Sequence, residues 1–242
     1  MTGAPPSAVL RVADLGPDGL ATALALAEAE RLTPVLAGKG VALVFEHPSA
    51  RTRNAAEMAV VQLGGHPVTI RGEEVGLDRR ESAEDVARTL ACFHAVIAAR
   101  VARHGTLERM AGALDPSGRV AVVNLLSDLE HPTQALADLL TIRQAFGSLE
   151  GRTVAYVGDG NNVCRSLVDA CALSGAPVRV AAPAGYQLSG DDLDRAGRLG
   201  GDVAQVEDPA EAVAGADVVY TDVWVSMGEE AEAEARRAAL GP

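Results

Sequence analysis

A chain of 242 residues, 48% of them hydrophobic, can bury a sizeable core as one large or two modest α/β domains, and at 3% aromatic content that core must be filled by aliphatic side chains. Asp and Glu outnumber Lys and Arg by 33 to 21, which argues against a nucleic-acid duplex or an anionic membrane as partner, because binding a phosphate backbone needs a basic face. A local basic pocket for a small anion is still compatible with a formal net charge of -12. No apolar stretch approaches membrane-spanning length, and the N-terminus MTGAPPSAVLRVADLG lacks both a basic start and a signal core, so a soluble, cytoplasmic protein is expected. Cys92, Cys164 and Cys171 lie in apolar helical stretches without CxxC spacing; they are expected to be reduced, buried thiols, with no metal site.

Along the chain, short β-branched runs alternate with helix-length amphipathic stretches, which predicts parallel sheets covered by helices on both faces. The run VALVFE (41–46) ends in HPSARTRN, with a helix expected to begin near Arg51. Ser49, Ala50, Arg51 and Thr52 then present backbone N–H groups and side-chain donors at a helix N-terminus, an anion-binding arrangement. Arg51 and Arg53 point to different faces of that helix, so at most one faces a phosphate; a solvated N-cap between surface arginines would read the same way. HPVTI (66–70) is followed by Ser82 and Asp85, a partial capping box opening the helix VARTLACF. AVIAAR (95–100) ends in Arg100. A strand-terminal Arg usually faces solvent, but beside Arg51 in one sheet it could supply a second guanidinium for a doubly charged oxyanion. After VAVVNL (120–125), the stretch SDLEHPTQALADLL places His131-Pro132 where a helix should start. A His fixed there can donate to a developing oxyanion, and Gln134 can offer its amide to the same substrate. The plainer alternative is an Asp128 or Thr133 cap with an incidental His.

The helical run from about Pro132 is interrupted at Gly147 and Gly151, and the same pattern restarts with TVAYVG (153–158), PVRVAAP (177–183), DVAQVE (202–207) and DVVYTDV (217–223). The fold class is therefore α/β with two domains, each a parallel β-sheet flanked by helices: residues 1–135, a connecting helix over 136–149, and 150–242. Ligands of such sheets sit outside the carboxyl ends of the strands. The turn GDGNNV is a poor dinucleotide fingerprint, since Val163 stands where a third Gly is needed and the next strand ends in Ala182-Pro183 without an acid for a ribose. Its two asparagines suit a polar, charged small molecule or a tight structural turn. Asp222, at the end of the last run, can hold a substrate ammonium; as a cap for a helix starting near Glu229 it stands several residues too early.

Taken together, these stretches resemble the aspartate/ornithine carbamoyltransferase family, on its ornithine side. FEHPSARTR matches the family's F-x-x-x-S-T-R-T-R, and Arg100, His131-Pro132-Thr133-Gln134, GDGNNV and DVWVSMG follow in the family's order and spacing over nearly all of the chain. The resemblance implies transfer of the carbamoyl group of carbamoyl phosphate to the δ-amine of ornithine, without cofactor or metal, by a homotrimer of arginine metabolism whose active site lies in the cleft near a subunit interface. Carried over by position, Ser49, Ala50 through its backbone, Arg51 and Thr52 bind the phosphate. Arg100 bridges phosphate and carbamoyl oxygen, and His131 and Gln134 hold the carbamoyl group. Asn162, Asp222, Ser226 and Met227 bind ornithine, with Asp222 near its α-ammonium.

Three departures from the family pattern accompany the match. Ala50 replaces a Thr and removes one hydroxyl donor, Gly76 in EEVGLDRRES stands where the family has a Gln that reaches a neighbouring subunit, and the family's H-C-L-P segment would lie beyond Pro242. They motivate a second reading, a catalytically weakened or truncated relative that acts as a binding or subunit-interaction protein. A dinucleotide oxidoreductase is disfavoured by Val163 and the absent acid.

Overall fold

The computed structural model describes residues 6–115, 119–224, 231 and 233–240. The chain divides into two compact units, Met1–Thr133 and Gln134–Pro242. The first opens with β1 (Ala8–Val9), a 3-10 turn (Val12–Leu15) and α1 (Gly16–Ala27), none of which the sequence reading picked out, although α1, with Pro17 in its first turn and Leu20 and Leu24 buried, carries a helical pattern. It continues with β2 (Gly40–Phe45), α2 (Ala50–Gln62), β3 (His66–Arg71), α3 (Gly72–Val75), α4 (Ala83–Ala91), β4 (His94–Arg100), α5 (His104–Gly112) and β5 (Ala121–Leu126), and it ends with the start of α6 (Pro132–Phe146).

Its five strands are all parallel, in the order β1-β5-β4-β2-β3. Successive side chains of a strand point to opposite faces, and the core divides accordingly. Ala42 and Val44 pack with Val86, Leu90, Leu107 and Met110 of α4 and α5 on one face. Val41, Leu43 and Phe45 pack with Val60 of α2 on the other. Both faces are thus covered, and the central strand β2 is correspondingly apolar along its length. The chain adds β3 on one side of β2, then returns to add β4 on the other, so the reversal of strand order falls between β2 and β4. Parallel α/β sheets bind ligands at the carboxyl ends of such a pair.

The second unit continues α6 and contains β6 (Val154–Val157), α7 (Asn162–Ser174), β7 (Val178–Ala181), α8 (Gly190–Arg198), β8 (Val203–Val206), α9 (Pro209–Val213), β9 (Val218–Thr221) and α10 (Ala233–Leu240). Its strands are parallel in the order β8-β7-β6-β9, which puts the reversal between β6 and β9. α6 ends where Gly147 takes φ 78, a left-handed conformation that glycine adopts without strain. Gly160 answers to space instead: a Cβ there would lie 2.7 Å from the backbone nitrogen of Leu188. The second glycine of GDGNNV therefore serves backbone packing.

Two local expectations need correction. Ser82 caps α4 by accepting from the Asp85 N–H at 3.1 Å, but the Asp85 carboxylate turns to Arg88 at 2.8 Å, so only half of the capping box forms. Cys164 and Cys171 are buried in α7, whereas Cys92 is exposed, because α4 stops at Ala91 and leaves Cys92 in the turn before β4. Among the described residues, no helix is long and apolar enough to cross a membrane.

Candidate active site

In the first unit the carboxyl ends of β2 and β4 are in register, Phe45 opposite Arg100. The chains leaving them are tied together: the Glu46 N–H donates to the Arg100 carbonyl at 3.0 Å, and Glu46 Oε2 accepts from the Ala102 N–H at 2.6 Å. Beyond β2, Ser49 is the N-cap of α2, with extended backbone and its Oγ accepting from the Thr52 N–H. Ala50 and Arg51 occupy the first helical positions, whose N–H groups have no intrahelical acceptor. Ser49 Oγ also donates to Thr52 Oγ1 at 3.0 Å, and Arg100 Nη1 donates to the same oxygen at 3.3 Å. With its oxygen accepting twice, the Thr52 hydroxyl proton is left to point elsewhere.

Arg100 is the unusual member. It is 6% exposed and its Nε has no hydrogen-bond partner. Among the described residues, no carboxylate lies at ion-pair distance from it. Burial pushes its pKa down, and the nearby Arg51 guanidinium pushes it down further. A buried cation beside a second cation and a helix N-terminus is complementary to an anion and to little else.

His131 is placed by a rigid loop. Asn124 Nδ2, in β5, donates to the carbonyls of Leu10 and Glu130 and to Ser127 Oγ, and Ser127 Oγ meets His104 Nδ1 at 2.8 Å; all three side chains are buried. Asp128 does not cap α6: its carboxylate accepts from the His104 N–H at 2.6 Å, at the start of α5. Thr133 Oγ1 donates to the Leu125 carbonyl at 3.4 Å. Burial and the Arg100 charge push the His131 pKa down to about 4, so near neutral pH its ring is uncharged and one nitrogen still carries a proton to donate.

In the second unit the turns after β6 and β9 meet at the strand-order reversal. Asn161 caps α7, its Oδ1 accepting from the N–H groups of Val163 and Cys164, and its Nδ2 donates to Asp222 Oδ2 at 3.2 Å. Asn162 follows as the first residue of α7, and Trp224, 39% exposed, lies two residues past Asp222. Gln134, in the first turn of α6, is held by Asp138 at 2.9 Å, and Asp138 by the Tyr220 hydroxyl at 3.0 Å. Ser226 and Met227 lie outside the described residues. Sequence reading singled out both asparagines of GDGNNV but carried only Asn162 forward as a site residue, and it missed Glu46, Asp138 and Tyr220. Only the Gln134–Asp138 pair carried a readable signal, an i,i+4 spacing on a helix. Among the described residues, no group of three or more His, Cys, Asp or Glu is placed to hold a metal ion.

The first unit thus carries two guanidinium groups and a helix N-terminus at its sheet's reversal, and the second a carboxylate at its own, on parallel α/β sheets. Family models agree: residues 9–144 match the aspartate/ornithine carbamoyltransferase carbamoyl-P binding domain, and residues 150–242 match the Asp/Orn binding domain of the same family. The chain belongs to the aspartate/ornithine carbamoyltransferase family. It is 50% identical over 216 residues to the ornithine carbamoyltransferase of Hyperthermus butylicus, covering 87% of this chain and 68% of that one. It is 48% identical over 231 residues to that of Thermus thermophilus, covering 94% and 74%. The crystal structure of ornithine carbamoyltransferase from Thermus thermophilus superposes with a TM-score of 0.85 at 44% identity, over 97% of this chain and 77% of that one. The Pyrococcus furiosus enzyme gives 0.91 at 38% identity, over 100% and 80%.

Proposed function

We propose that this chain transfers the carbamoyl group of carbamoyl phosphate to the δ-amine of ornithine, giving citrulline and phosphate. The observation that carries the proposal is Arg100, a buried guanidinium without a carboxylate partner among the described residues, beside Arg51 and the start of α2. In this reading Ser49, Arg51, Thr52 and the backbone of Ala50 hold the phosphate, and Arg100 spans phosphate and carbamoyl oxygen. His131 donates to that oxygen and Gln134 contacts the carbamoyl group. Asn162, Asp222, Ser226 and Met227 hold ornithine, Asp222 facing its α-ammonium. Residues 1–135 serve carbamoyl phosphate, 150–242 serve the amino acid, and 136–149 link them.

The neutral δ-amine adds to the carbonyl carbon, negative charge grows on the oxygen faced by Arg100 and His131, and collapse expels phosphate as the amine loses its proton. The leaving group is already activated, so the protein contributes position and electrostatics. An uncharged His131 suits this role: it donates a hydrogen bond without adding a third cation beside Arg51 and Arg100. The Ala50 position keeps its N–H but lacks a hydroxyl. Gly76 takes φ 60, and a Cβ there would sit 3.1 Å from the Arg80 side chain, so this loop shape disfavours any longer residue. By family resemblance we place the chain in the cytoplasm as a homotrimer of arginine metabolism. Incubation with carbamoyl phosphate and ornithine, read as citrulline, tests the proposal. A chain that binds phosphate yet forms no citrulline would favour the binding-protein alternative.

A further inference from the structure

At the carboxyl end of the second sheet, a chain of hydrogen bonds ends on Gln134. Gln134 and Asp138 stand one turn apart on α6, with Gln134 Nε2 donating to Asp138 Oδ1 at 2.9 Å. Asp138 Oδ2 accepts from the Tyr220 hydroxyl at 3.0 Å. Tyr220 is itself braced, its ring stacked on Tyr156 at 5.6 Å and 20°. Tyr156 is 0% exposed and its hydroxyl donates to the Asp159 carbonyl at 2.9 Å. Side chains from β6 and β9 thus fix a carboxylate on a helix, and the carboxylate fixes an amide.

A carboxylate accepts hydrogen bonds and does not donate them, which settles the orientation of the Gln134 amide: its NH2 faces Asp138. Two donors, one on each oxygen, favour the ionised form against the burial that raises the Asp138 pKa. Turning the amide over would set Gln134 Oε1 against Asp138 Oδ1, two acceptors at hydrogen-bond distance. With one NH2 hydrogen given to Asp138 and the amide so oriented, Oε1 faces away from Asp138 and is left as an acceptor to offer. An acceptor attracts the NH2 of a carbamoyl group and repels carbonyl or phosphate oxygens.

We propose that Asp138, braced by Tyr220, is a positioning residue that locks the Gln134 amide with its oxygen outward, so that Gln134 reads the NH2 of the carbamoyl group and selects carbamoyl phosphate over acyl phosphates that carry a methyl group there. This inference rests on the reading of Gln134 as a carbamoyl contact. Asp138 itself touches no substrate.

The test uses the full chain and three probes, carbamoyl phosphate, acetyl phosphate and inorganic phosphate, titrated by calorimetry in a phosphate-free buffer, with citrulline kinetics alongside. The wild-type chain should prefer carbamoyl phosphate to acetyl phosphate. Asp138→Leu frees the amide to turn and should reduce that preference by about fivefold, the scale of one hydrogen bond, while inorganic phosphate affinity stays within about twofold. KM for carbamoyl phosphate should rise and KM for ornithine should not. Asp138→Asn keeps an oxygen toward Gln134 and can give its NH2 to the Tyr220 oxygen, so it should retain most of the preference. The inference is overturned if Asp138→Leu keeps the preference, if all three probes weaken in parallel, or if Asp138→Asn behaves like the leucine variant. A wild-type chain that binds phosphate but shows no preference overturns it alone. A wild-type chain that binds none of the three overturns the proposed function as well.

Discussion

Replacing Arg100 by methionine should stabilise the unliganded protein while abolishing its response to phosphate. Arg100 is 6% exposed, its Nε is unpartnered, and among the described residues its side chain makes one hydrogen bond, of 3.3 Å to Thr52. A buried, unsatisfied polar atom costs about 1–3 kcal/mol, and a charged one no less. Methionine preserves most of the length and volume and removes the charge. The variant should gain about 1–3 kcal/mol without ligand, or very roughly 2–12 °C at about 2–4 °C per kcal/mol for a chain of this size. Phosphate at about a hundred times its Kd should stabilise the wild-type chain by about 2.7 kcal/mol and the variant hardly at all. Melting both proteins across a phosphate series should therefore show the variant ahead at zero phosphate and losing its lead as phosphate rises. A variant that melts below wild type without ligand, or that gains as much from phosphate, would refute the claim that Arg100 is a cation held for an anion.

The remaining predictions concern the same end of the first sheet and the thiols. Ala50→Thr should tighten phosphate binding by about 1 kcal/mol, roughly fivefold, measured by titration calorimetry; unchanged or weaker binding would mean that this position faces away. His131→Ala should lower citrulline turnover by about 10²-fold with phosphate affinity little changed, and equal turnover would remove His131 from the site. His131 also sets a pH window: its folded pKa of about 4 lies below the ordinary 6.5, so the unfolded chain takes up the proton first as pH falls. Its contribution, full above about pH 6.5, should decline by up to about 3 kcal/mol toward pH 4, a loss that denaturant titrations of His131→Ala should not show. Of the three cysteines, exposed Cys92 should react promptly with a thiol reagent, whereas Cys164 and Cys171 should react only on unfolding. Burial pushes the Cys171 pKa up to about 12, and Cys164 is raised as well.

The doubly wound architecture is legible in the sequence because each central strand is a continuous β-branched run, VALVFE or AVIAAR, and such runs arise when both faces are covered. β1 is not legible: two residues long, it exists through its pairing with β5, and no local pattern announces a two-residue strand. The proposed phosphate end of the site can be read as far as Ser49–Arg53, since helix capping is local. Arg100 is harder, because its burial depends on the register with Phe45 and on what lies over it, while a strand-terminal Arg by itself suggests solvent. Asp128 shows the same limit in reverse. It has the chemistry of a cap and stands just before a helix start, yet it caps α5, some two dozen residues earlier in sequence. Cys92 was misplaced by its apolar neighbours, since a helix that ends one residue sooner turns a core position into a turn. Asn161 and Tyr220 depend on pairing between distant segments, which a single chain of letters does not display.

Trp224 gives the second unit an optical reporter. It is the sole tryptophan in the chain, 39% exposed, two residues beyond Asp222. Excitation at the red edge of its absorption passes over the tyrosines, so the emission comes from the end of β9 and from nowhere else in the protein. Its colour and its quenching by iodide record the polarity and accessibility of that one turn. Ornithine and phosphate can then be added in either order against a single intrinsic signal, with no dye and no engineered label.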